Sequence, residues 1–458
     1  EQCWRDVMLY QFHDCLPGSA IGRVYEETQA RYQELYDQAR ERIEALKEKL
    51  AGCLDQRGMK EPMAVFNPIS FRRTQRLEWE GREMTVTLEP YEIRAVDWSL
   101  AAAQEEREMG SAAHHVMENS FVRMEFAPDG TVVSLYDKRE ARELLPPGQR
   151  GNQLNLYPDR LTHWDIQKEY LQAEPRRARL TEMKQSRIGS CQRMELAFET
   201  GEKSRIRQTV VMEDYSARVD FRTWVDWQEE YQMLRVAWPV EAAAREAECD
   251  IQFGHIGRPV NHNTSWEEAK FEVCAHKWVD LSDADGGLAL MNDCKYGYKV
   301  WDRILDLCLL RSQNCPCERG DAGEHEFTYS VYPHGPGLWE SGVISQGYQL
   351  NYPLEVWSRK SPEAGPAKKA PGPGAVSAGY DLEPWSLEAL QGVVLETVKQ
   401  AESGEGYVLR FYETRGGRGE ARIRLDKYQA AGICNLLEEL QPDQSSFERT
   451  PEGARILF

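Results

Sequence analysis

Apolar side chains recur at steps of three and four through the first 60 residues of the chain. The first set is Trp4, Val7, Met8 and Phe12, and the second is Val24, Thr28, Tyr32, Leu35, Ala39, Ile43, Leu46 and Leu50. This spacing places an apolar stripe along a helix. Residues 15–19 break the pattern, and the Ser19 hydroxyl is a candidate cap for the second helix. A helix of about 30 residues favours a helical bundle segment over 1–60, with an isolated coiled coil as the alternative.

The periodicity then changes to two, which is typical of β-strands. Residues 64–66 are apolar and end at Asn67 and Pro68, a pair that favours a turn. We therefore predict a small β domain over 61–98. Residues 99–113 are polar and rich in alanine, and we interpret them as a short linker.

A second β region begins with a strong hairpin pattern. Apolar and polar residues alternate over 122–126, Pro-Asp-Gly follows at 128–130, and a second strand pattern occupies 132–136. The same alternation returns at 219–225. Because regular helical patterns do not intervene, an antiparallel sandwich fits better than a parallel α/β sheet. We predict one large β-supersandwich domain over 114–357.

The last part of the chain has two sections of different composition. Residues 358–379 are rich in Pro, Gly, Ala and Lys, a composition that favours a loop or linker. Alternating patterns at 407–412 and 421–425 then predict a C-terminal β domain over 380–458. The predicted fold class is therefore α+β and mostly β, with a helical segment followed by antiparallel β-sandwich domains.

Composition narrows the functional classes. The chain of 458 residues has a net charge of -19, which disfavours binding to the phosphates of nucleic acids. No apolar run is long enough to cross a membrane. The 11 cysteines are scattered, which indicates reduced thiols in a cytoplasm. Cys315 and Cys317 lack a second pair at zinc-site spacing, so we interpret them as unrelated thiols.

His13 and Asp14 are the first candidate site residues, since they stand between a predicted helix and a Pro-Gly turn. A neutral imidazole can bind zinc, and a neighbouring carboxylate can orient it or bind a sugar hydroxyl. A His-Asp pair alone is weak evidence, and a structural or capping role is the plainer interpretation.

The sequence around this pair resembles glycoside hydrolase family 38, the class II α-mannosidases. The motif is Gln11-Phe12-His13-Asp14-Cys15-Leu16-Pro17-Gly18-Ser19-Ala20-Ile21, followed by Val24-Tyr25-Glu26. Further matches in the same order are Ile251–Ile256, Asn261–Trp266, Ala269–Val273, Ala275–Trp278, Asn292–Tyr298, Gly323–Phe327 and Val393–Ala401. Phe12 and Pro17 resemble the cytosolic and vacuolar branch of the family, so a cytoplasmic protein is expected.

The resemblance implies a retaining, zinc-dependent hydrolase that releases terminal α-linked mannose from oligosaccharides. It implies that His13 is a zinc ligand and that Asp14 contacts the sugar. The family's nucleophile and its other zinc ligands belong to an N-terminal catalytic domain that this sequence lacks. The chain begins with Glu1 inside an amphipathic segment, which we interpret as a fragment. We therefore predict no catalytic residue here, no zinc bound by this fragment alone and no turnover.

Other polar residues are weaker candidates. His262 and Asp293 lie near aromatic residues and could bind substrate, whereas the alternative is that they hold turns together. His325 is expected to be structural. The expected partners are a mannose-containing oligosaccharide and the missing catalytic domain, without nucleic acid or membrane, and a homo-oligomer is left open. The rival functions are a non-catalytic carbohydrate-binding β-sandwich protein and an assembly scaffold.

Overall fold

The computed structural model describes residues 2–109, 115–160, 162–313, 315–358, 385–425 and 429–458. Its α-helices are α1 (Gln2–Tyr10), α2 (Gly22–Cys53), α3 (Ser265–Glu268) and α4 (Val343–Asn351), and its 3-10 helices are Trp98–Leu100, Lys168–Gln172 and Trp301–Arg303. None of these helices is long and apolar enough to cross a membrane. The predicted linker 358–379 lies outside the described residues except for its first position.

The strands of the first third of the chain are β1 (Pro62–Phe66), β2 (Arg73–Trp79), β3 (Arg82–Leu88), β4 (Ile93–Asp97), β5 (Ala102–Ala103), β6 (Glu106–Glu108), β7 (His115–Glu118), β8 (Val122–Phe126), β9 (Val132–Asp137), β10 (Arg142–Glu143) and β11 (Gln153–Pro158). Those of the middle are β12 (Arg176–Arg177), β13 (Arg179–Ile188), β14 (Cys191–Thr200), β15 (Ser204–Glu213), β16 (Val219–Trp227), β17 (Gln232–Pro239), β18 (Glu246–Ile251), β19 (Gly254–Pro259), β20 (Val273–Cys274), β21 (Trp278–Asp283), β22 (Gly286–Asn292), β23 (Gly297–Lys299), β24 (Ile304–Arg311), β25 (Gly323–His334) and β26 (Glu355–Ser358). The C-terminal strands are β27 (Trp385–Gln391), β28 (Val393–Gln400), β29 (Tyr407–Glu413), β30 (Glu420–Leu425), β31 (Phe447–Thr450) and β32 (Gly453–Leu457).

The chain divides into two compact units. The first comprises Glu1–Ile43, Glu105–Ile251 and Ile256–Gly347, and the second comprises Glu44–Gln104, Gln252–His255 and Tyr348–Phe458. Strands β5 and β6 occupy part of the segment 99–113, whose composition predicts a linker. Residues 110–114 of that segment lie outside the described residues.

The first unit is built mainly on large antiparallel sheets. Over the described residues, one sheet has the order β19-β18-β21-β22-β25-β16-β15-β14-β13-β6, and a second has the order β12-β11-β17-β24-β23-β20. The Phe221 ring on β16 lies 5.4 Å from Trp238 on β17 and stacks on Tyr329 of β25 at 5.1 Å. These buried rings join the inner faces of two sheets, so the predicted mostly-β sandwich fold is confirmed.

Strand β16 illustrates why these residues form a half-buried strand. Alternate residues from Val219 to Trp227 are buried, while the residues between them, beginning with Asp220, are partly or fully exposed. Period-two alternation turns every second side chain towards the core. The predicted hairpin is also confirmed, because β8 and β9 pair antiparallel across the turn at 128–130.

The N-terminal helices follow the predicted spacing with one correction. The prediction that Ser19 caps the second helix is wrong, because α2 begins at Gly22 and the Ser19 hydroxyl donates to the carbonyl of Asp14 at 3.1 Å. The described part of 1–60 contains α1 and α2, joined by an ion pair between Asp6 and Arg31. Two helices are therefore present there, and a complete bundle is not seen among these residues.

The second unit contains smaller sheets. Strand β1 lies between β4 and β26, so the chain returns after residue 354 to complete the sheet that residues 62–97 begin. One apolar core cluster of this unit contains Met63, Val65, Leu77, Val86, Leu88, Trp98 and Leu354. The predicted strands near 407–412 and 421–425 are confirmed as β29 and β30.

Candidate functional site

The turn between α1 and α2 presents His13 and Asp14 to solvent. The backbone amides of Cys15 and Leu16 both donate to the carbonyl of Phe12, at 2.8 and 3.1 Å. The side chains of His13 and Asp14 are 68% and 46% exposed, and His13 Nε2 lies 3.7 Å from Asp14 Oδ1. Because the turn is held by main-chain hydrogen bonds, both side chains remain available to a ligand.

The hydroxyl of Tyr25 on α2 fixes this turn from the other side. It accepts from the amide of Ala20 at 2.9 Å and lies 3.4 Å from the carbonyl of Cys15. Burial is the main cause that raises the pKa of the Tyr25 hydroxyl above its usual value, so it stays protonated. A neutral hydroxyl can donate and accept at once, which ties the turn to the helix.

A second segment, residues 162–165, lies against the His13 turn. The Trp164 ring is 60% exposed, and its centroid lies 6.1 Å from that of His13 with an interplanar angle of 55°. The neighbouring His163 is buried beside Gly18, where an added Cβ would lie 2.9 Å from His163 Nδ1. Gly18 also has a φ of +81°, a conformation that favours glycine. The two segments therefore interlock at a position where a side chain does not fit.

Arg311, the last residue of β24, holds the 162–165 segment in place. Its guanidinium donates to the Asp159 carboxylate at 2.6 and 3.2 Å, and this carboxylate is almost completely buried. It also donates to the carbonyls of Thr162 at 3.2 Å and Asp165 at 2.7 Å. A planar guanidinium with five donors suits this arrangement. The position of the segment is thus set by one partly buried cation, the Asp159 carboxylate and several main-chain oxygens.

The Asp321 carboxyl interacts electrostatically with His163 of the 162–165 segment and with two further side chains, His325 and Lys295. Burial is the largest influence on the Asp321 carboxyl and raises its pKa, against the opposing effect of His163, His325 and Lys295. Burial likewise lowers the pKa of His163, so its imidazole is neutral at pH 7. His325 Nε2 lies 2.8 Å from the carbonyl of Asp321. Asp321 thus interacts with His163 from a separate segment of the first unit as well as with the nearby His325.

The other two predicted substrate residues lie in local contacts of their own. Asp293 Oδ2 accepts from the amide of Thr328 at 3.0 Å, while the Asp293 amide donates to the Thr328 carbonyl at 3.1 Å. The exposed His262 ring stacks on the buried Trp301 at 4.6 Å. Both contacts are of the kind expected if these residues hold turns together. A substrate role for His262 and Asp293 stays a prediction.

A buried charge cluster lies in the six-stranded sheet, and the sequence patterns did not predict it. Arg235 is completely buried and pairs with Asp306 at 2.7 Å and Glu272 at 2.8 Å. Lys299 lies 3.2 Å from Asp306, and the Tyr170 hydroxyl donates to Glu272. In the sequence, the sign of this cluster is an arginine, Arg235, within the otherwise largely apolar strand β17. Since the charges compensate each other inside the sheet, we assign the cluster to structure.

The described residues alone do not fit a complete zinc site. Zinc needs three or four protein ligands, and within the described ranges no group of three or more His, Cys, Asp or Glu side chains is arranged to hold a metal. His13 and Asp14 contribute two adjacent donors of suitable chemistry. Each of the 11 cysteines lies in the described part of the chain and is a free thiol.

Three family models match most of the chain. They are the α-mannosidase middle domain at residues 1–50, the glycosyl hydrolase family 38 C-terminal domain at 117–319, and the family 38 C-terminal β-sandwich domain at 392–454. The chain belongs to glycoside hydrolase family 38.

Individual relatives agree with this assignment. The chain is 32% identical to "Alpha-mannosidase 2C1" of Homo sapiens over 96% of its own length and 43% of that protein. It is 29% identical to "Alpha-mannosidase G" of Dictyostelium discoideum over 97% of its length and 46% of that protein. A crystal structure of an α-mannosidase from Enterococcus faecalis V583 has the same fold, with a TM-score of 0.79, 14% identity, and coverage of 96% of this chain and 60% of that one. The chain thus spans less than half the length of these two named relatives.

Proposed function

We propose that this chain is the middle and C-terminal part of an α-mannosidase that hydrolyses terminal α-linked mannose from oligosaccharides. The observation that carries the proposal is the similarity to two named α-mannosidases over 96% and 97% of the chain. The exposed His13 and Asp14 side chains support it locally, because they are held in a fixed turn and are open to a ligand.

In this proposal His13 supplies one ligand to a zinc ion, and the remaining ligands come from residues outside this sequence. Zinc when bound would hold and orient the mannose hydroxyls. Asp14 accepts a hydrogen bond from a sugar hydroxyl, since a carboxylate is a strong acceptor. The nucleophile of a retaining reaction lies outside the chain as well, so the 458 residues alone bind no catalytic zinc and show no turnover.

The proposed enzyme works in the cytoplasm. The free thiols of all 11 cysteines, which lie within the described residues, are compatible with a reducing compartment. The large exposed apolar residues of the first helical segment include Trp4, Met8, Leu9 and Phe12. We propose that they contribute to the surface that meets the catalytic domain, since adjacent exposed apolar residues mark interaction sites.

The test uses the intact protein that contains this chain and a chromogenic α-mannoside. His13→Ala should lose at least about 100-fold in kcat/KM together with bound zinc, measured by elemental analysis. His115→Ala, a substitution of a half-buried histidine on β7, is the control and should keep both.

The possible outcomes test separately the role of His13, the mannosidase activity and the location of the nucleophile. Full activity and full metal content in His13→Ala would remove His13 from the metal shell while leaving the family activity in place. An inactive wild-type protein, with zinc or cobalt added, would favour a non-catalytic carbohydrate-binding protein. Turnover by residues 1–458 alone would contradict the assignment of the nucleophile to residues outside the chain.

A further inference from the structure

Trp164 is a large apolar side chain in an exposed position beside the His13 turn. Several tryptophans of the chain are completely or almost completely buried, including Trp98, Trp227 and Trp238, whereas Trp4 and Trp266 are 71% and 82% exposed. Trp164 is also exposed, at 60%, although burial of an indole would stabilise the fold, and its ring lies 6.1 Å from that of His13. Its position is therefore poorly explained by packing alone.

The segment that presents Trp164 is held by polar contacts rather than by the indole itself. Arg311 binds the Asp159 carboxylate and donates to the carbonyls on both sides of Trp164, those of Thr162 and Asp165. His163 fills the space beside Gly18 of the His13 turn. These contacts fix the backbone of 162–165 and leave the indole free to contact a ligand, which is the arrangement of a preformed binding surface.

We propose that Trp164 stacks against a pyranose ring of the mannoside bound at His13 and Asp14. This inference rests on the proposed function and adds a residue that determines binding of the sugar ring. The indole face would contact the C–H face of the pyranose, while the hydroxyls point towards polar groups or water. An aromatic face provides a large contact area at a low cost in side-chain entropy.

The geometry defines where the pyranose lies. The His13 and Trp164 rings are 6.1 Å apart and inclined by 55°, so they form an open V. Two stacked contacts of about 3.5–4.0 Å each require more space than this. The sugar therefore does not enter between the two rings. It lies on the solvent side of the indole, with the His13–Asp14 pair at its edge.

A neutral aromatic surface contacts the sugar equally in the ground state and in the transition state. Loss of such a uniform contact raises KM and leaves kcat nearly unchanged. This distinguishes Trp164 from a residue that supports the active site only structurally, because a disordered site would lower kcat as well.

The experiment measures KM and kcat for an α-linked mannobiose in the intact, zinc-loaded protein. Trp164→Ala should raise KM about tenfold with kcat within about twofold, and Trp164→Phe should recover most of the affinity. Trp79→Ala is the matched control, because Trp79 is also partly exposed, at the end of β2, and lies outside the site. It should leave both constants unchanged.

Two results would overturn the inference, and they are distinguishable. If the wild-type protein is active and Trp164→Ala has an unchanged KM, or loses kcat alone, then Trp164 does not stack on the sugar and the mannosidase proposal stands. If the wild-type protein has no α-mannosidase activity, both proposals fail. A misfolded Trp164→Ala is recognised by circular dichroism, and Trp164→Leu, which keeps apolar volume but lacks an aromatic face, then decides: a raised KM with kcat retained supports stacking, and an unchanged KM rejects it.

Discussion

Replacing Arg235 with methionine tests how the six-stranded sheet tolerates its buried charges. The substitution keeps much of the side-chain volume but leaves Asp306 and Glu272 without the guanidinium that lies 2.7 and 2.8 Å from them. Removing one partner of a buried ion pair costs about 3–5 kcal/mol, because the remaining charge stays desolvated. Lys299, at 3.2 Å from Asp306, compensates only one of the two carboxylates.

Hydrogen exchange of the amides in β17 and β24 is the appropriate assay, because it reports local opening in a chain of two compact units. A cost of about 3–5 kcal/mol corresponds to a decrease in protection of about two to four powers of ten. Arg57→Met is the control, since Arg57 pairs with Asp55 on the surface, where both side chains are mostly exposed. It should leave the protection unchanged.

The pH dependence gives an independent check on the same variant. Burial raises the pKa of Glu272, and Arg235 opposes this increase. Without Arg235 the pKa rises further, so the folded variant takes up a proton as the pH falls. The destabilisation should therefore be smaller at pH 5 than at pH 7. A decrease in protection below about tenfold, or a loss that does not depend on pH, would refute the role assigned to Arg235.

Two further predictions concern other buried charged groups. Glu229 Oε1 accepts hydrogen bonds at 3.0–3.2 Å from three consecutive amides of the β14–β15 turn, so Glu229→Gln should destabilise this hairpin by about 1–3 kcal/mol, measured by exchange in β15. Burial alone would lower the pKa of His334, but Asp280, at 2.6 Å, raises it overall. The stabilisation is therefore complete below the unfolded pKa of about 6.5 and is lost as the pH rises through the higher folded value. Melting temperatures between pH 6 and pH 9 should show this decrease in the wild type and a smaller one in His334→Gln.

Local sequence patterns predicted the individual strands better than they predicted which strands pair in a sheet. The alternation at 122–126 and 219–225 gives β8 and β16 directly, because one face of each strand is buried. The pairing of β1 with β26 joins residues almost 300 positions apart along the chain, and no local signal encodes that partner. Ser19 was misassigned because its hydroxyl has an alternative acceptor, the Asp14 carbonyl, which sequence spacing does not reveal.

The candidate site was predictable only where a motif identified it. His13 and Asp14 were selected by their resemblance to a family motif, and the structure places both in an exposed turn. Trp164 could not be separated from the other tryptophans, because its segment is held by Arg311, a residue almost 150 positions away. The charges around Arg235 likewise come from several separate strands and loops, so only the folded chain brings them together.

The recognition of main-chain oxygens by Arg311 has a consequence for substitutions in the 162–165 segment. Every residue type carries a carbonyl, so the path of 162–165 does not depend on the side chain at position 164. Saturation mutagenesis at this single codon should therefore yield folded variants that keep the backbone position of 162–165. Position 163 does not offer the same freedom, because its imidazole fills the space beside Gly18.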